Sequence, residues 1–252
     1  MKDDIEALIK AYNEEGYLLL SPGVEIIPEF EKLLNAPTEL VYEKDENTLR
    51  SIYGFQDNPY FIDWLQNNHL IKSLVQAILG PQVYLHQTKI NLKNRNESSI
   101  WPFHRDFPFW KIFDHFPNNR FLNVVVYIDE VFEGSGALEV IPKSHLEFLA
   151  REEKDQDTEY SLEGSASSDL LFSFSEDELQ YFKLKYGLVS TLAPKGSLLL
   201  FDPNLIHGSG ISSLDFSRKI MILTFNACEN LPTKQSERPN YLCNNNKRPL
   251  AW

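Results

Sequence analysis

Residues Ile100–Phe116 read IWPFHRDFPFWKIFDHF and form the densest aromatic run of the chain. From Trp101 onward, seven of these sixteen residues are aromatic, whereas the whole protein is 13% aromatic. The run contains His104 and Asp106, a His-x-Asp pair. Side chains alternate on an extended segment, so this imidazole and carboxylate point the same way and can bind one metal ion together. A histidine from elsewhere would complete a 2-His-1-carboxylate triad, the ligand set of many non-haem Fe(II) sites.

The pair alone is a weak motif, because a chain with 6 His shows a His-x-Asp pair by chance in about one case in three. His145-Leu146-Glu147 is a second pair of similar type. A more distant candidate is His207, which follows an apolar strand and a turn in the segment SLLLFDPNLIHGSG. Arg218 opens the last apolar strand and could clamp a carboxylate with two hydrogen bonds. Taken singly, His207 is equally compatible with a loop residue and Arg218 with a surface ion pair.

Composition narrows the possible partners. The 252-residue chain carries 36 Asp and Glu against 24 Lys and Arg, a net charge of -12. This charge disfavours a nucleic-acid partner and repels anionic membranes. No apolar run reaches the ~20 residues of a membrane span, and the charged N-terminal segment predicts no signal peptide. With Cys228 and Cys243 as the only cysteines, we expect a cytoplasmic protein with reduced thiols. We expect a monomer or homodimer that acts on a small molecule.

Hydrophobic periodicity divides the chain into two parts. Helical spacing dominates residues 1–80, where residues 36–57 are polar and predict an irregular flap. Period-two patterns dominate residues 81–230, with an acidic insertion at about 146–185. Helices followed by many short strands predict a mainly β protein with flanking α-helices, packed outside a β-sandwich or jelly roll. We expect residues 1–252 to form one domain. The predicted helices cover residues 3–15, 26–35 and 59–79, and the predicted strands 17–20, 83–92, 121–128, 137–141, 189–192, 197–201 and 220–226.

Taken in order, His104-x-Asp106, His207 and Arg218 form a constellation that resembles the phytanoyl-CoA dioxygenase superfamily of Fe(II)/2-oxoglutarate oxygenases. The resemblance is strongest to the branch of ectoine hydroxylases and free amino-acid hydroxylases, and it covers residues 80–230. Further matching segments are YLHQTKIN at Tyr84–Asn91, LEVIPKSH at Leu138–His145 and FNACEN at Phe225–Asn230. The resemblance implies a double-stranded β-helix core, which is the jelly roll of cupin-like proteins.

The resemblance also implies roles for individual residues. Asp106 stands where related halogenases carry a small residue, which favours hydroxylation over halogenation. Asn123 replaces a serine that ectoine hydroxylases carry in their substrate pocket. Fe(II) would bind to His104, Asp106 and His207, and the cosubstrates would be 2-oxoglutarate and O2. The 2-oxoglutarate would bind to Arg218, Gln87, Asn91, Ser209 and Trp101. The substrate would contact Trp110, Asn123 and Asn226. By the same resemblance, His145 ends a strand at a structural turn and is not a metal ligand.

The implied reaction is hydroxylation of an unactivated C–H bond, with release of succinate and CO2. The implied substrate is a small free amino acid or an amino-acid-derived zwitterion. Two alternatives stay open at this point. The same chemistry could act on an acyl-CoA or a carrier-bound acyl group, or the chain could be a non-catalytic cupin-like protein that binds a metal or a carboxylate ligand.

Overall fold

The computed structural model describes residues 2–24, 28–34, 38–43, 46–94, 100–150, 152, 170–213, 215 and 217–252. In chain order the helices are α1 (Lys2–Glu15), α2 (Phe30–Leu33), α3 (Pro59–Gln66), α4 (His69–Leu79), α5 (Phe107–Ile112) and α6 (Glu176–Tyr186). The strands are β1 (Tyr17–Leu20), β2 (Glu39–Tyr42), β3 (Leu49–Tyr53), β4 (Val83–Lys93), β5 (Trp101–His104), β6 (Phe121–Tyr127), β7 (Glu139–Val140), β8 (Val189–Ser190), β9 (Leu198–Phe201), β10 (His207–Ser209) and β11 (Arg218–Ala227).

Two antiparallel sheets form the framework. The larger has the strand order β1-β9-β6-β11-β4-β3-β2, and the smaller has the order β5-β10-β7-β8. Most neighbouring strands are not consecutive in the chain, apart from β2-β3-β4 and β7-β8, so the chain crosses repeatedly between the sheets, as it does in a jelly roll. The predicted fold class, a mainly β protein with a jelly-roll core and flanking helices, is confirmed.

Strand β6 packs into apolar clusters on both faces of the larger sheet, which explains its largely apolar sequence. Val124 and Val126 belong to a core cluster with residues of α1, α3 and α4, on the helix-covered face. Val125 and Tyr127 belong to a second cluster with Val140 of the smaller sheet. Alternate side chains of one strand therefore pack into different layers. The metal-ligand candidates lie on the side of the second cluster, between the sheets.

The N-terminal part differs from the sequence-based prediction in three places. The predicted flap at residues 36–57 contains β2 and β3, which extend the larger sheet beyond β4. β2 is the exposed edge strand, whereas β3 is buried but includes the polar residues Arg50 and Ser51, so neither strand has a strong hydrophobic pattern. The helix predicted over residues 59–79 is two helices, interrupted between Gln66 and His69. The helix predicted over residues 26–35 is described only as the short α2, and residues 25–27 and 35–37 lie outside the described residues.

The acidic insertion is described in part. Residues 151 and 153–169 lie outside the described residues. Beyond them, α6 begins with a capping box in which Ser175 and Glu178 each accept a hydrogen bond from the other's backbone N–H. Leu170, just before this helix, packs into an aromatic cluster with Phe109, Trp110 and other aromatic residues. None of the described helices is long and apolar enough to cross a membrane.

Candidate active site

Two histidines face each other across the pairing of β5 with β10. His104 is the last residue of β5, His207 is the first of β10, and the two are paired in register. Their ring centroids are 4.3 Å apart. The Nδ1 atom of His104 lies 2.7 Å from the carbonyl oxygen of Pro102, and Nδ1 of His207 lies 2.9 Å from that of Leu205. Because carbonyls only accept, each Nδ1 carries the proton and each Nε2 keeps a lone pair for a metal ion.

Asp106 supplies the third ligand. Its backbone N–H donates to the carbonyl of Pro203 at 2.8 Å, which fixes the start of α5 against the turn before β10. Its Oδ1 lies 3.4 Å from Nε2 of His104, and its Oδ2 lies 3.8 Å from Nε2 of His207. One ligand atom from each of the three residues lies within 4.8 Å of the other two. Two imidazoles and one carboxylate in this arrangement fit Fe(II) and leave other coordination positions open.

The protonation states also suit a bound cation. Burial alone would raise the pKa of Asp106, but the charges of His207, His104 and Lys89 hold this pKa well below its usual range. Burial and the neighbouring His104 lower the pKa of His207 to about 4. At neutral pH the carboxylate is therefore ionised and the His207 imidazole is neutral, which are the forms that bind metal.

Asn123 lies behind Asp106 and does not line a substrate cavity, which corrects its predicted role. Its Nδ2 donates to Oδ2 of Asp106 at 2.6 Å. Its Oδ1 accepts a hydrogen bond of 2.7 Å from the hydroxyl of Thr224 on the neighbouring strand. The Asn123 side chain is 1% exposed. It therefore orients the carboxylate ligand, as hydrogen-bonded groups behind metal ligands generally do.

A cavity of about 510 Å³ adjoins the three ligands on the side of β10 and β11. Four residues predicted to bind 2-oxoglutarate line it, namely Arg218, Asn91, Ser209 and Trp101. Arg218 is 2% exposed and donates from Nη2 to the carbonyl of Gly136 at 2.5 Å. Burial lowers its pKa to about 10, so the guanidinium stays charged at neutral pH. A buried cation at the far end of the cavity suits the terminal carboxylate of a dicarboxylic cosubstrate.

Lys93 is a second cation in this cavity, and the sequence-based prediction missed it. Lys93 on β4 lies directly opposite Arg218 on β11. Its Nζ donates to Oγ of Ser209 at 2.9 Å, and the side chain is 3% exposed. Burial and the charge of Arg218 lower the pKa of Lys93 to about 7. Like charges opposite each other in a sheet repel, and an anion bound between them relieves this repulsion.

A second cavity, of about 370 Å³, lies on the other side of the ligands. It shares Lys89, Trp101, His104 and Asp106 with the first. Trp110 lines it, in agreement with its predicted contact with the substrate. Gln87 also lines this cavity and not the first, and its Nε2 donates to the carbonyl of Leu242 at 3.0 Å. The structure therefore places Gln87 on the side of Trp110 and not beside Arg218 and Ser209.

Arg238 is the second cation of the smaller cavity, beside Lys89. Its Nη1 donates to Oδ2 of Asp114 at 3.1 Å, and its Nε has no hydrogen-bond partner among the described residues. Asp114 also accepts from Ser236 at 2.6 Å and lies 3.3 Å from Nε2 of His86. Asp114 therefore fixes the position of the Arg238 guanidinium at this cavity. Sequence reasoning missed Arg238, because it lies in a tail without a regular pattern.

A register shift on β4 decides the position of two further residues. The pairing of β4 with β11 shifts between Thr224 and Phe225, which gives β4 an extra residue. His86 therefore does not face away from Gln87 across the sheet, as strict alternation predicts. Its ring packs 5.3 Å from that of Trp110, and the side chain is completely buried. The predicted role of His86 as a packed histidine agrees with this position.

Asn226 lies beyond the same shift and lines neither cavity. Its Nδ2 donates to the hydroxyl of Tyr84 at 2.9 Å, and its Oδ1 accepts from Asn230 at 3.0 Å. These bonds satisfy a fully buried amide within the sheet. The predicted contact of Asn226 with the substrate is therefore corrected to a structural role.

The second histidine–carboxylate pair has no part in the cluster. His145 Nε2 lies 3.1 Å from the carbonyl of Asn13. Glu147 accepts hydrogen bonds from Tyr181 and Lys185 of α6, at 2.6 and 2.7 Å. Both residues therefore connect the turn after β7 to helices, in agreement with the structural role predicted for His145.

A jelly roll that holds two facing histidines and a carboxylate beside a cationic cavity defines the class of non-haem iron oxygenases that use 2-oxoglutarate. The family model described as phytanoyl-CoA dioxygenase (PhyH) matches residues 10–220. The chain belongs to this family. The predicted enzyme class, a 2-oxoglutarate-dependent non-haem iron dioxygenase with Fe(II), 2-oxoglutarate and O2, is confirmed.

Similar proteins act on amino acids and their derivatives. The chain is 27% identical to an L-proline trans-4-hydroxylase of Streptomyces griseoviridis over 84% of this chain and 80% of the relative. It is 28% identical to an ectoine dioxygenase of Nocardia farcinica over 96% of this chain and 86% of that protein. EctD from S. alaskensis, crystallised with 2-oxoglutarate and 5-hydroxyectoine, has a similar structure, with a TM-score of 0.72 and 25% identity over 93% of this chain and 82% of EctD. Its apo form gives a TM-score of 0.74 at 25% identity, over 96% of this chain and 84% of EctD.

Proposed function

We propose that this dioxygenase hydroxylates an unactivated C–H bond of a small free amino acid or an amino-acid-derived zwitterion, and that it releases succinate and CO2. The observation that carries the proposal is the position of the triad between two cavities, each of which contains a buried cation. One cavity suits a dicarboxylic cosubstrate, and the other suits a substrate carboxylate. Bound Fe(II) supplies the oxidation chemistry, in which O2 oxidises both 2-oxoglutarate and the substrate.

The protein's own residues position the two organic molecules. His104, Asp106 and His207 would hold Fe(II), and Arg218 with Lys93 would hold the distal carboxylate of 2-oxoglutarate. The guanidinium group of Arg218 has paired N–H donors that fix both the position and the orientation of a carboxylate. Because Asp106 keeps a carboxylate at the ligand position, we propose hydroxylation and not halogenation.

The smaller cavity would bind the substrate. Arg238 lines this cavity as a buried cation and would bind the substrate carboxylate. The indole of Trp110 and the aromatic cluster around Phe109 would exclude water and offer a face to a cationic ammonium group. Gln87 supplies an amide that can donate or accept a hydrogen bond. Among the described lining residues, these groups suit a short polar molecule.

The test is succinate formation from 2-oxoglutarate by protein reconstituted with Fe(II) in the presence of O2, with free amino acids and related zwitterions as candidate substrates. We expect stimulation of succinate release by at least one of them, together with a product heavier by one oxygen atom. An acyl-CoA panel run in parallel tests the rival substrate class. Absence of succinate in every reaction would contradict the proposal and would favour a non-catalytic protein that binds a metal or a carboxylate ligand.

Three further features are proposed from the sequence. Residues 1–252 would form one domain, the protein would be cytoplasmic, and it would be a monomer or homodimer. Light scattering of the purified chain measures its oligomeric state directly, and a mass of three or more subunits would contradict the proposal. A single cooperative unfolding transition would support one domain.

A further inference from the structure

Lys89 is a cation of the active site for which the proposed chemistry has no use. It lies on the same face of β4 as Gln87 and Asn91, since side chains alternate along this part of the strand. It lines both cavities together with His104 and Asp106, so it stands at the point where cosubstrate and substrate would meet.

The ammonium group of Lys89 is not paired. Among the residues that the structure describes, Lys89 forms no hydrogen bond or ion pair, and its closest recorded partner is the ring of Trp101, with 5.7 Å between Nζ and the ring centroid. The positive charges of Arg238 and Arg50 disfavour the charge of Lys89, and only Asp106 favours it. Bound Fe(II) would take up the charge of Asp106. A largely buried cation without a counter-charge is costly, which points to an anion supplied from outside the chain.

The charge of the two cavities as a whole supports this reasoning. The protein has a net charge of -12, so cationic side chains are in the minority. The described residues that line the two cavities nevertheless include Lys89, Lys93, Arg218 and Arg238, and Asp106 is their single carboxylate. Fe(II) carries two positive charges and 2-oxoglutarate two negative ones, so together they leave the charge balance of the side chains unchanged. The four cations face only Asp106 and, outside the cavities, Asp114, which pairs with Arg238. Two positive charges therefore stay without a counter-charge, and Lys89 is the one of the four cations that has no hydrogen-bond or ion-pair partner among the described residues.

We propose that the substrate carries a second anionic group besides its α-carboxylate, and that Lys89 binds one of the two groups while Arg238 binds the other. The inference rests on the proposed function and narrows its substrate to an acidic amino acid of the size of aspartate or glutamate. Such a molecule would span the smaller cavity between the two cations, with its carbon chain beside the metal ligands. Trp101 and Trp110 would contact its apolar part.

The test compares acidic amino acids with their amides, which have the same shape but lack the second charge. Binding of L-glutamate, L-glutamine, L-aspartate and L-asparagine to the anaerobic Fe(II)–2-oxoglutarate enzyme is measured by calorimetry and by quenching of tryptophan fluorescence. For at least one of the two pairs, we expect the acid to bind about ten- to a hundredfold more tightly than its amide. Equal binding of acid and amide in both pairs by the unmodified enzyme would overturn the inference.

Substitution of Lys89 assigns the effect to this residue. In Lys89→Gln the preference for the acid should fall to about one, in Lys89→Arg it should persist, and in Lys89→Glu it should reverse in favour of the amide. The affinity for 2-oxoglutarate, read from the visible charge-transfer band of its Fe(II) complex, should stay unchanged in Lys89→Gln. Lys195→Gln removes the same charge at an exposed position and is the matched control.

The outcomes separate this inference from the proposed function. If Lys89→Gln keeps the preference for the acid over the amide, the proposed role of Lys89 is wrong. It is also wrong if this variant loses 2-oxoglutarate binding and keeps the preference. Formation of the Fe(II)–2-oxoglutarate complex with no preference for acids would overturn the inference alone. Failure to form that complex and to release succinate would remove the proposed function as well.

Discussion

At the scale of single residues, Lys93 gives the cosubstrate cavity a dependence on pH. Its pKa of about 7 reflects burial and the charges of Arg218 and Arg50, which outweigh the charges of Glu43 and Glu139. The charged form of Lys93 binds a carboxylate, and the neutral form must first take up a proton. The affinity for 2-oxoglutarate should therefore be highest below pH 7 and should fall as the pH rises through 7.

We expect Lys93→Met to remove this pH dependence and to weaken 2-oxoglutarate binding about tenfold at pH 6, because one charge-assisted hydrogen bond is lost. Arg218→Met should weaken binding by about ten- to a hundredfold at every pH between 6 and 8, since the guanidinium stays charged throughout. Titration of 2-oxoglutarate into the Fe(II) enzyme at several pH values measures both effects. A pH dependence that persists in Lys93→Met would assign it to another group.

Asn123 acts on the metal through Asp106. We expect Asn123→Ala to lower the affinity for Fe(II) by about ten- to a hundredfold, because the carboxylate loses the hydrogen bond that orients it. Binding of 2-oxoglutarate at saturating Fe(II) should change little. Metal content after dialysis against graded chelator concentrations measures the change. Thr224→Val, which removes only the hydroxyl bonded to Asn123, should give a smaller change in the same direction, and full retention of iron by both variants would contradict this role.

At the scale of elements, the pairing of β5 with β10 aligns the two histidines. Gly208 is the middle residue of β10, and a Cβ atom at this position would lie 2.9 Å from the carbonyl oxygen of Trp101 and 3.0 Å from Cγ of Phe103 on β5. A backbone oxygen and an aromatic ring carbon cannot move aside as easily as the end of a flexible side chain. Gly208→Ala should therefore push β10 away from β5 and separate His104 from His207.

We expect Gly208→Ala to lose most of its Fe(II) binding and to be destabilised by about 1–3 kcal/mol, the usual cost of overpacking. Metal content and chemical unfolding measure the two effects. Gly210→Ala, two residues further along, is the control, because a Cβ atom there meets nothing within 4 Å. Similar losses in both variants would show that the effect comes from loop flexibility and not from the strand pairing.

At the scale of the whole molecule, the smaller sheet and the start of α5 bring the three ligands together. We expect Fe(II) added without O2 to raise the melting temperature. Fe(II) at about a hundred times its dissociation constant contributes ~2.7 kcal/mol, which corresponds to roughly 5–10 °C for a protein of this size. Thermal unfolding with and without Fe(II) measures the shift. His207→Ala should abolish it and His145→Ala should retain it, since His145 lies outside the metal cluster. Equal shifts in both variants would place the stabilising metal elsewhere.

The metal ligands could be predicted from the sequence because two of them are close in the chain and the third follows at a position that resembles the family. His104 and Asp106 are two residues apart, and His207 and Arg218 follow in the order typical of the family. The same alternation that groups Gln87 with Asn91 also covers Lys89 and Lys93, since residues 87, 89, 91 and 93 are two positions apart on β4. The cations were missed because the alternation was applied only to the amides.

Sequence patterns by themselves determined the layers of this protein and its iron chemistry. Apolar periodicity separates helices from strands, and the residue types of the triad define the metal. Only the tertiary structure decided which cavity each polar residue serves. Gln87 lies on the side of Trp110, and the Asn226 amide is occupied by hydrogen bonds to Tyr84 and Asn230, because these contacts join segments that are distant in sequence. Arg238 lies in a C-terminal segment without hydrophobic periodicity, and its position at the site depends on a hydrogen bond to Asp114, which is 124 residues away in the chain.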